Sequence, residues 1–422
     1  MICQCRGNDG FIERCRLIFR PSMSSDKFLQ IFPPKFAVVV KIPYLCKTIY
    51  IMAVERLNIQ PGLLRWVIRR AGVSEDKAIE TFPLLDGWLS QEKQPTLSQL
   101  KKFAAKFYVP FGYLFMSNLP MENIPFPMFR GEAGQQDHFD LNVYDTVMNV
   151  QARQEWLEEY FAENDIDTCE FVGSINTKTS ISEAVCKLRT LLGLDDRWAF
   201  SLATPDAAVS LLGQKMEDVG VFLAYNGVVG NNTHRQLKVS ECRGFALVNE
   251  KAPYIFVNSA DSKSAQLFTL VHEVAHLMLG VSAGHAGSEV LHHEATENYC
   301  DRVAAEFLVP ASVLRDIWTN DTKSASRRFK ASELVVARRA HDLGLMSDAE
   351  YRAFWAIYSQ RQSRIKKNSG GSFYLTSVKR VGRKFAIHVR NAVNNKQLSY
   401  TEAYRLTGLY GKTYDNFMTN SI

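Results

Sequence analysis

Leu270-Val271-His272-Glu273-Val274-Ala275-His276 is an HExxH sequence set inside an apolar stretch of helical character. Four residues make just over one helical turn, so His272 and His276 project from one face and can hold the same metal ion, with Glu273 beside them. Further along runs Glu297-Asn298-Tyr299-Cys300-Asp301, followed by Arg302-Val303-Ala304-Ala305-Glu306-Phe307-Leu308-Val309-Pro310. Glu297 and Asp301 again stand one turn apart, while Cys300, Val303, Ala304 and Phe307 form the opposite, apolar face. The spacing therefore predicts a second helix that offers a carboxylate to the first.

Catalytic zinc usually takes three protein ligands and keeps its fourth position open, and two histidines with one glutamate are a known set. His272, His276 and Glu297 fill it. Asp301, one turn beyond, is placed to accept a hydrogen bond from the free ring nitrogen of a ligand histidine. Glu273 is then the general base for attack of water on a polarised carbonyl, which makes the expected chemistry hydrolysis of a peptide or other amide bond. The competing reading of an HExxH is two packed helices whose histidines satisfy ordinary core hydrogen bonds, and the downstream ExxxD weighs against it. His285, His292 and His293 fall in the stretch Gly284 to Glu294, read as a solvated loop in which one of them is an option for stabilising an oxyanion.

This HExxH, followed by ExxxD and the ending Ala-Ala-Glu-Phe-Leu-Val-Pro, resembles the ImmA/IrrE family of zinc metallopeptidases, whose site is gluzincin-like. The resemblance implies Zn2+ held by His272, His276 and Glu297, with Glu273 as base. It extends over Val219 to Asn258, where short strands are expected at Val221–Ala224, Gly244–Val248 and Tyr254–Asn258, with turns at Asn226-Gly227 and Asn231–Arg235. A strand edge beside such a helix can take an extended peptide by strand addition. Family members are associated with cleaving helix-turn-helix repressors, which implies a regulatory DNA-binding protein as substrate.

The N-terminal part itself resembles an XRE-type helix-turn-helix domain. A helix is expected over Gln60 to Gly72, a second after the cap Ser74, a third over Leu84 to Gln91, and a fourth after the cap Thr96, with Val109 to Phe115 closing the unit. The candidate DNA contacts are Ser90 and Gln91, near bases, and Lys93, on phosphate. The third helix is not conspicuously basic, so a scaffold for protein contacts is the alternative use of the same helices.

With 46% hydrophobic and 22% charged residues, 422 residues can build two or three domains with ample cores, and a net charge of +6 permits nucleic-acid contact without demonstrating it. Residues 1–51 stand apart. They hold Cys3, Cys5, Cys15 and Cys46 without metal-ligand spacing, and they are expected to be a disordered extension or a misannotated start, with Met52 the true first residue. No membrane span is expected, and the remaining cysteines read as thiols of a cytoplasmic protein.

The fold class expected is mainly α with an α+β catalytic domain: a helix-turn-helix domain at 52–120, a zincin-like metallopeptidase domain with a small sheet at 121–325, and a helical C-terminal extension with a basic segment at 326–422. Within these, Ser182 is expected to cap a helix over Glu183 to Leu192, Ile124 to Arg130 to be a linker, Lys366 to Ser372 to be a break, and one basic helix to run near Tyr374 to Val393. The function expected is zinc-dependent endopeptidase action on a repressor- or antitoxin-like protein. The other class is a DNA-binding regulator or antitoxin-like protein whose metal site is structural or sensory.

Overall fold

The computed structural model describes residues 56–122, 140–282, 290–361 and 373–422. The expectations for 1–51, for the linker at 124–130 and for the break at 366–372 lie outside them, as do His285 and the side chains of His292 and His293. The described chain is mostly helical with a small sheet between Phe222 and Val257. It forms two compact units, one of residues 56–64 with Phe82–Phe115 and one of Arg65–Thr81 with Met116–Ile422.

The early helices are α1 (Pro61–Arg70), α2 (Glu75–Thr81), α3 (Leu84–Leu89) and α4 (Leu97–Lys106). In the first unit Thr96 starts α4 with a capping box: its side chain accepts from the Gln99 amide, and the Gln99 side chain accepts from the Thr96 amide. Aromatic rings fill this small core, with Trp88 5.3 Å from Phe82 and 5.8 Å from Phe103.

The second unit is built on a three-stranded sheet. Its strands are β1 (Phe222–Tyr225), β4 (Gly244–Leu247) and β5 (Tyr254–Val257), in the order β1-β5-β4, with β5 parallel to β1 and antiparallel to β4. The strands β2 (Val228–Val229) and β3 (Asn232–Gln236) pair separately. Asn232 to Arg235, expected as a turn, is therefore strand; its polar side chains carry no alternating signal, and only its pairing with β2 makes it a strand.

Both faces of the sheet are covered, which is why these strands are apolar at nearly every position. Leu223, Ala246, Ile255 and Val257 point into a core with α6 (Ile181–Leu192), α7 (Pro205–Asp218), α8 (Lys263–Leu279) and α9 (Val290–Leu308). The alternate residues Phe222, Ala224, Phe245, Tyr254 and Phe256 point into a second core with α5 (Leu141–Glu163) and the C-terminal helices. After α9 follow α10 (Ala311–Ile317), α11 (Thr322–Phe329), α12 (Glu333–Asp342) and α13 (Asp348–Arg361). The chain then forms α14 (Phe373–Val381), α15 (Arg383–Asn394), α16 (Tyr400–Thr407) and α17 (Lys412–Asn420).

The single basic helix expected near Tyr374 to Val393 is two helices, broken at Gly382. Its φ of +89° is open to glycine, and a Cβ there would run into the Leu223 carbonyl oxygen of β1. The cap of α6 is Ser180, two residues before the one expected: its hydroxyl accepts from the Glu183 amide, and Gly193 ends the helix in the left-handed region. Helix α9 begins at Val290, so His292 and His293 belong to a helix and not to a loop.

Two polar side chains of α5 fasten the second core. The buried Gln154 donates from Nε2 to the Leu247 and Ala252 carbonyls, each at 2.8 Å. Arg153 donates to the Leu406 carbonyl at 3.0 Å and to the Arg380 and Val381 carbonyls at 3.1 and 3.3 Å, at the C-terminal ends of α16 and α14. Its guanidinium also lies 5.4 Å from the Phe385 ring centre.

Candidate metal centre

Helix α8 starts at Ser262, whose hydroxyl accepts from the Ala265 amide, and ends at Gly280 in the left-handed region. Between these caps it is apolar on most sides, because α7, α9 and the sheet enclose it. His272, Glu273 and His276 are thereby held in a packed helix with 6%, 5% and 0% of their surfaces exposed.

The histidines do meet. His272 Nε2 and His276 Nε2 lie 3.1 Å apart, as one helical turn requires. Glu297 of α9 faces them with one carboxylate oxygen 3.1 Å from each ring: Oε2 at His272 and Oε1 at His276. One donor atom from each of the three residues can be chosen so that all lie within 4.8 Å of one another. Ligands about 2.0–2.1 Å from a tetrahedral ion stand about 3.3 Å apart. The set of two imidazoles and one carboxylate, at this spacing, fits such an ion.

Asp301 Oδ1 lies 2.9 Å from the other ring nitrogen of His272, Nδ1. His272 is thus bracketed by carboxylates. Burial pushes its proton affinity down, but the hydrogen bonds to Asp301 and Glu297 outweigh that and raise its pKa to about 10 in the metal-free protein. Glu297 shows the converse: burial pushes it up, and the hydrogen bonds from His272 and His276 hold it far below the usual carboxylate range. His276 Nδ1 is buried and has no hydrogen-bond partner among the described residues.

Glu273 points toward the start of β4, where Gly244 leaves room for it. A Cβ built on Gly244 would stand 3.5 Å from Glu273 Oε1 and 2.8 Å from the Phe256 carbonyl oxygen, and would collide with Thr269 of α8. The sequence reading passed over Gly244, whose one available signal was a glycine opening an otherwise bulky strand. Cys242, two residues earlier, is buried beside this carboxylate; burial and then the Glu273 charge push its thiol up to about 12.

The expected DNA contacts sit elsewhere. Ser90, Gln91 and Lys93 are exposed, but they lie on the turn after α3 and not on its face. Ser90 is the C-cap, Gln91 has a φ of +62°, and the Lys93 amide bonds back to the Gly87 carbonyl at 2.9 Å. Leu85, Trp88 and Leu89 of α3 are turned into the small core.

Among the described residues no helix is long and apolar enough to cross a membrane. Residues 381–420 match a family model described as a domain of unknown function. No curated protein and no solved structure matches the chain. Residues 217–341, which carry β1 to β5, both site helices and His272, Glu273, His276, Glu297 and Asp301, match a peptidase family model described as an IrrE N-terminal-like domain. The region is thus similar to that domain, and its function is metallopeptidase-like.

Proposed function

We propose that this chain is a zinc-dependent endopeptidase that cuts a regulatory protein of the DNA-binding class in the cytoplasm. The observation that carries the chemistry is the meeting of His272, His276 and Glu297 donor atoms beside the buried Glu273 carboxylate. A zinc ion held there would act as a Lewis acid on the scissile carbonyl and on water.

The protein's own residues do the rest. His272, His276 and Glu297 bind, and Asp301 fixes the His272 ring by accepting at Nδ1. Glu273 accepts the proton of the attacking water on a carboxylate oxygen and returns it to the leaving amine. Among the described residues strand β4 pairs with β5 alone, and its outer edge is where an extended substrate segment would add. The regulatory target rests on the resemblance of the HExxH–ExxxD region to repressor-cleaving peptidases and on the small helical unit preceding it. That unit supports a helix-turn-helix reading in which Ser90, Gln91 and Lys93 meet DNA.

A regulator with a structural or sensory metal site is the second reading, favoured by the same N-terminal helices. A buried carboxylate beside a three-donor site speaks for catalysis, because structural zinc usually has four protein ligands and needs no base. The test is to incubate zinc-loaded protein with lysate of its own host beside the Glu273→Gln variant. Fragments made by the wild type and absent with the variant, at equal zinc content, are expected. The same fragments from both proteins would overturn the mechanism.

A further inference from the structure

A cavity of about 820 Å³ opens between α7, β1, the first residue of α8 and the helices α14 and α15. It is separate from the metal centre: Lys263 at its rim and His272 are nine residues apart on α8, about 13 Å along the axis.

Four cations line it, Lys263, Lys379, Arg383 and Lys384, against the two anions Glu217 and Asp218. Asp206 takes up the rim pair, lying 3.1 Å from Lys263 and 3.9 Å from Lys379. Arg383 and Lys384 form no ion pair within 4.0 Å with a described residue. Lys384 gives one hydrogen bond from Nζ, to the Glu217 carbonyl at 2.8 Å, and lies 5.1 Å over the Phe222 ring. Burial pushes its amine down and the Glu217 carboxyl up, so both charges sit in a poorly solvated wall.

The Tyr225 hydroxyl is a third polar group without an assignment. Its oxygen is buried and has no hydrogen-bond partner among the described residues, and burial pushes its ionisation up, so it remains a donor at neutral pH. Gly213 of α7 makes room for the hydroxyl itself: a Cβ there would stand 2.7 Å from its oxygen. Val209, Leu223, Val378 and Ile387 form the apolar part of the wall, beside the neutral polar residues Ser210, Gln214 and Ser259.

We propose that this cavity binds a small amphiphilic anion, a carboxylate or phosphate monoester whose oxygens meet Arg383, Lys384 and the Tyr225 hydroxyl while its apolar body lies on Leu223, Val378 and Ile387. The volume lies within the range of small-molecule sites, which are apolar clefts with a few converging polar groups. Lys263, Lys379, Arg383 and Lys384 outnumber the carboxylates of Glu217, Asp218 and Asp206, and Arg383 and Lys384 face the Glu217 carboxylate only from beyond ion-pair distance, so the lining favours an anion.

The test is calorimetric titration of the full chain with decanoate and with phenyl phosphate, beside decanol and inorganic phosphate. One of the two organic anions should saturate at one per chain, with decanol and inorganic phosphate binding more weakly. Arg383→Gln should weaken that binding about tenfold or more, and Ser210→Trp, on the exposed face of α7, should abolish it by filling the cavity. Both positions are exposed, and the melting temperature of each variant checks that it folds. Failure of both organic anions to bind, decanol binding as tightly as decanoate, inorganic phosphate binding as tightly as phenyl phosphate, or both variants binding like the wild type would overturn the proposal.

Discussion

Gly244 faces Glu273 across the contact between β4 and α8: a single added carbon on the glycine would lie 3.5 Å from the glutamate oxygen. The same carbon would press on the Phe256 carbonyl at 2.8 Å and collide with Thr269 of α8, so the strand or the helix that carries Glu273 must shift. Gly244→Ala should therefore cost about 1–3 kcal/mol of stability from overpacking. It should also slow cleavage about a hundredfold by displacing the base, while His272, His276 and Glu297 still bind zinc. Cleavage at the wild-type rate with full zinc content would show that the carboxylate's position is not set by this contact.

Asp301 meets the His272 ring at Nδ1, the nitrogen that faces away from Glu297 and His276, so its removal tests orientation apart from ligation. Asp301→Asn should lower zinc affinity about 10–100-fold, read by competition with a chromophoric chelator. An unchanged affinity would mean that the 2.9 Å contact at Nδ1 leaves the ligand unaffected.

The metal-free site should also be sensitive to pH. With its folded pKa raised from 6.5 to about 10, His272 lends stability that is complete below 6.5 and disappears as pH rises through about 10. Glu297, depressed below its ordinary 4.5, lends stability present above that value and lost as pH falls. Zinc binding requires His272 to give up its proton, so calorimetry at pH 7–8 in buffers of different ionisation heat should record proton release on metal uptake. The metal-free melting temperature should decline between pH 7 and 10, and a rising one would contradict the assignment.

His388 in the second core titrates the opposite way. Burial, then the Lys384 charge, lowers its pKa from 6.5 to about 4, among the Tyr160, Phe161 and Phe222 rings. Its contribution is present above 6.5 and is lost as pH falls toward 4, because the unfolded chain takes up the proton first. His388→Leu should flatten the loss of stability over that interval, and proton NMR of the wild type should place the His388 midpoint near 4.

Phe385 is fully buried against the sheet, with its ring 5.7 Å from Trp156 and 6.5 Å from Tyr254. Phe385→Ala should cost about 3–5 kcal/mol, measured by urea unfolding. A small effect would mean that α15 is not needed by the sheet.

The local parts of this structure could be read from its residues. A four-residue spacing dictates which side chains share a helix face, so the approach of His272 to His276 and the apolar back of α9 follow from sequence alone. Thr96, Gly193 and Gly280 mark helix ends because their preferred backbone geometry or side-chain oxygen is local chemistry. The remainder depends on distant partners. That Phe222 and Leu223 face different cores is a matter of what covers each side of the sheet, and nothing near them in the chain says that α5 and α15 supply one cover. Gly382 breaks a promising basic helix because it must lie on Leu223, and Gly244 matters because of Thr269 and Glu273. Both are close approaches between segments remote in sequence.

Arg153 hydrogen-bonds the ends of α14 and α16 from the middle of α5. The C-terminal helices are therefore held by bonds and rings from α5 and the sheet, independently of the covalent link after Arg361. A protease that severed the chain between α13 and α14 would produce two pieces on a denaturing gel and one particle in solution. Nicking there would not detach the C-terminal helices.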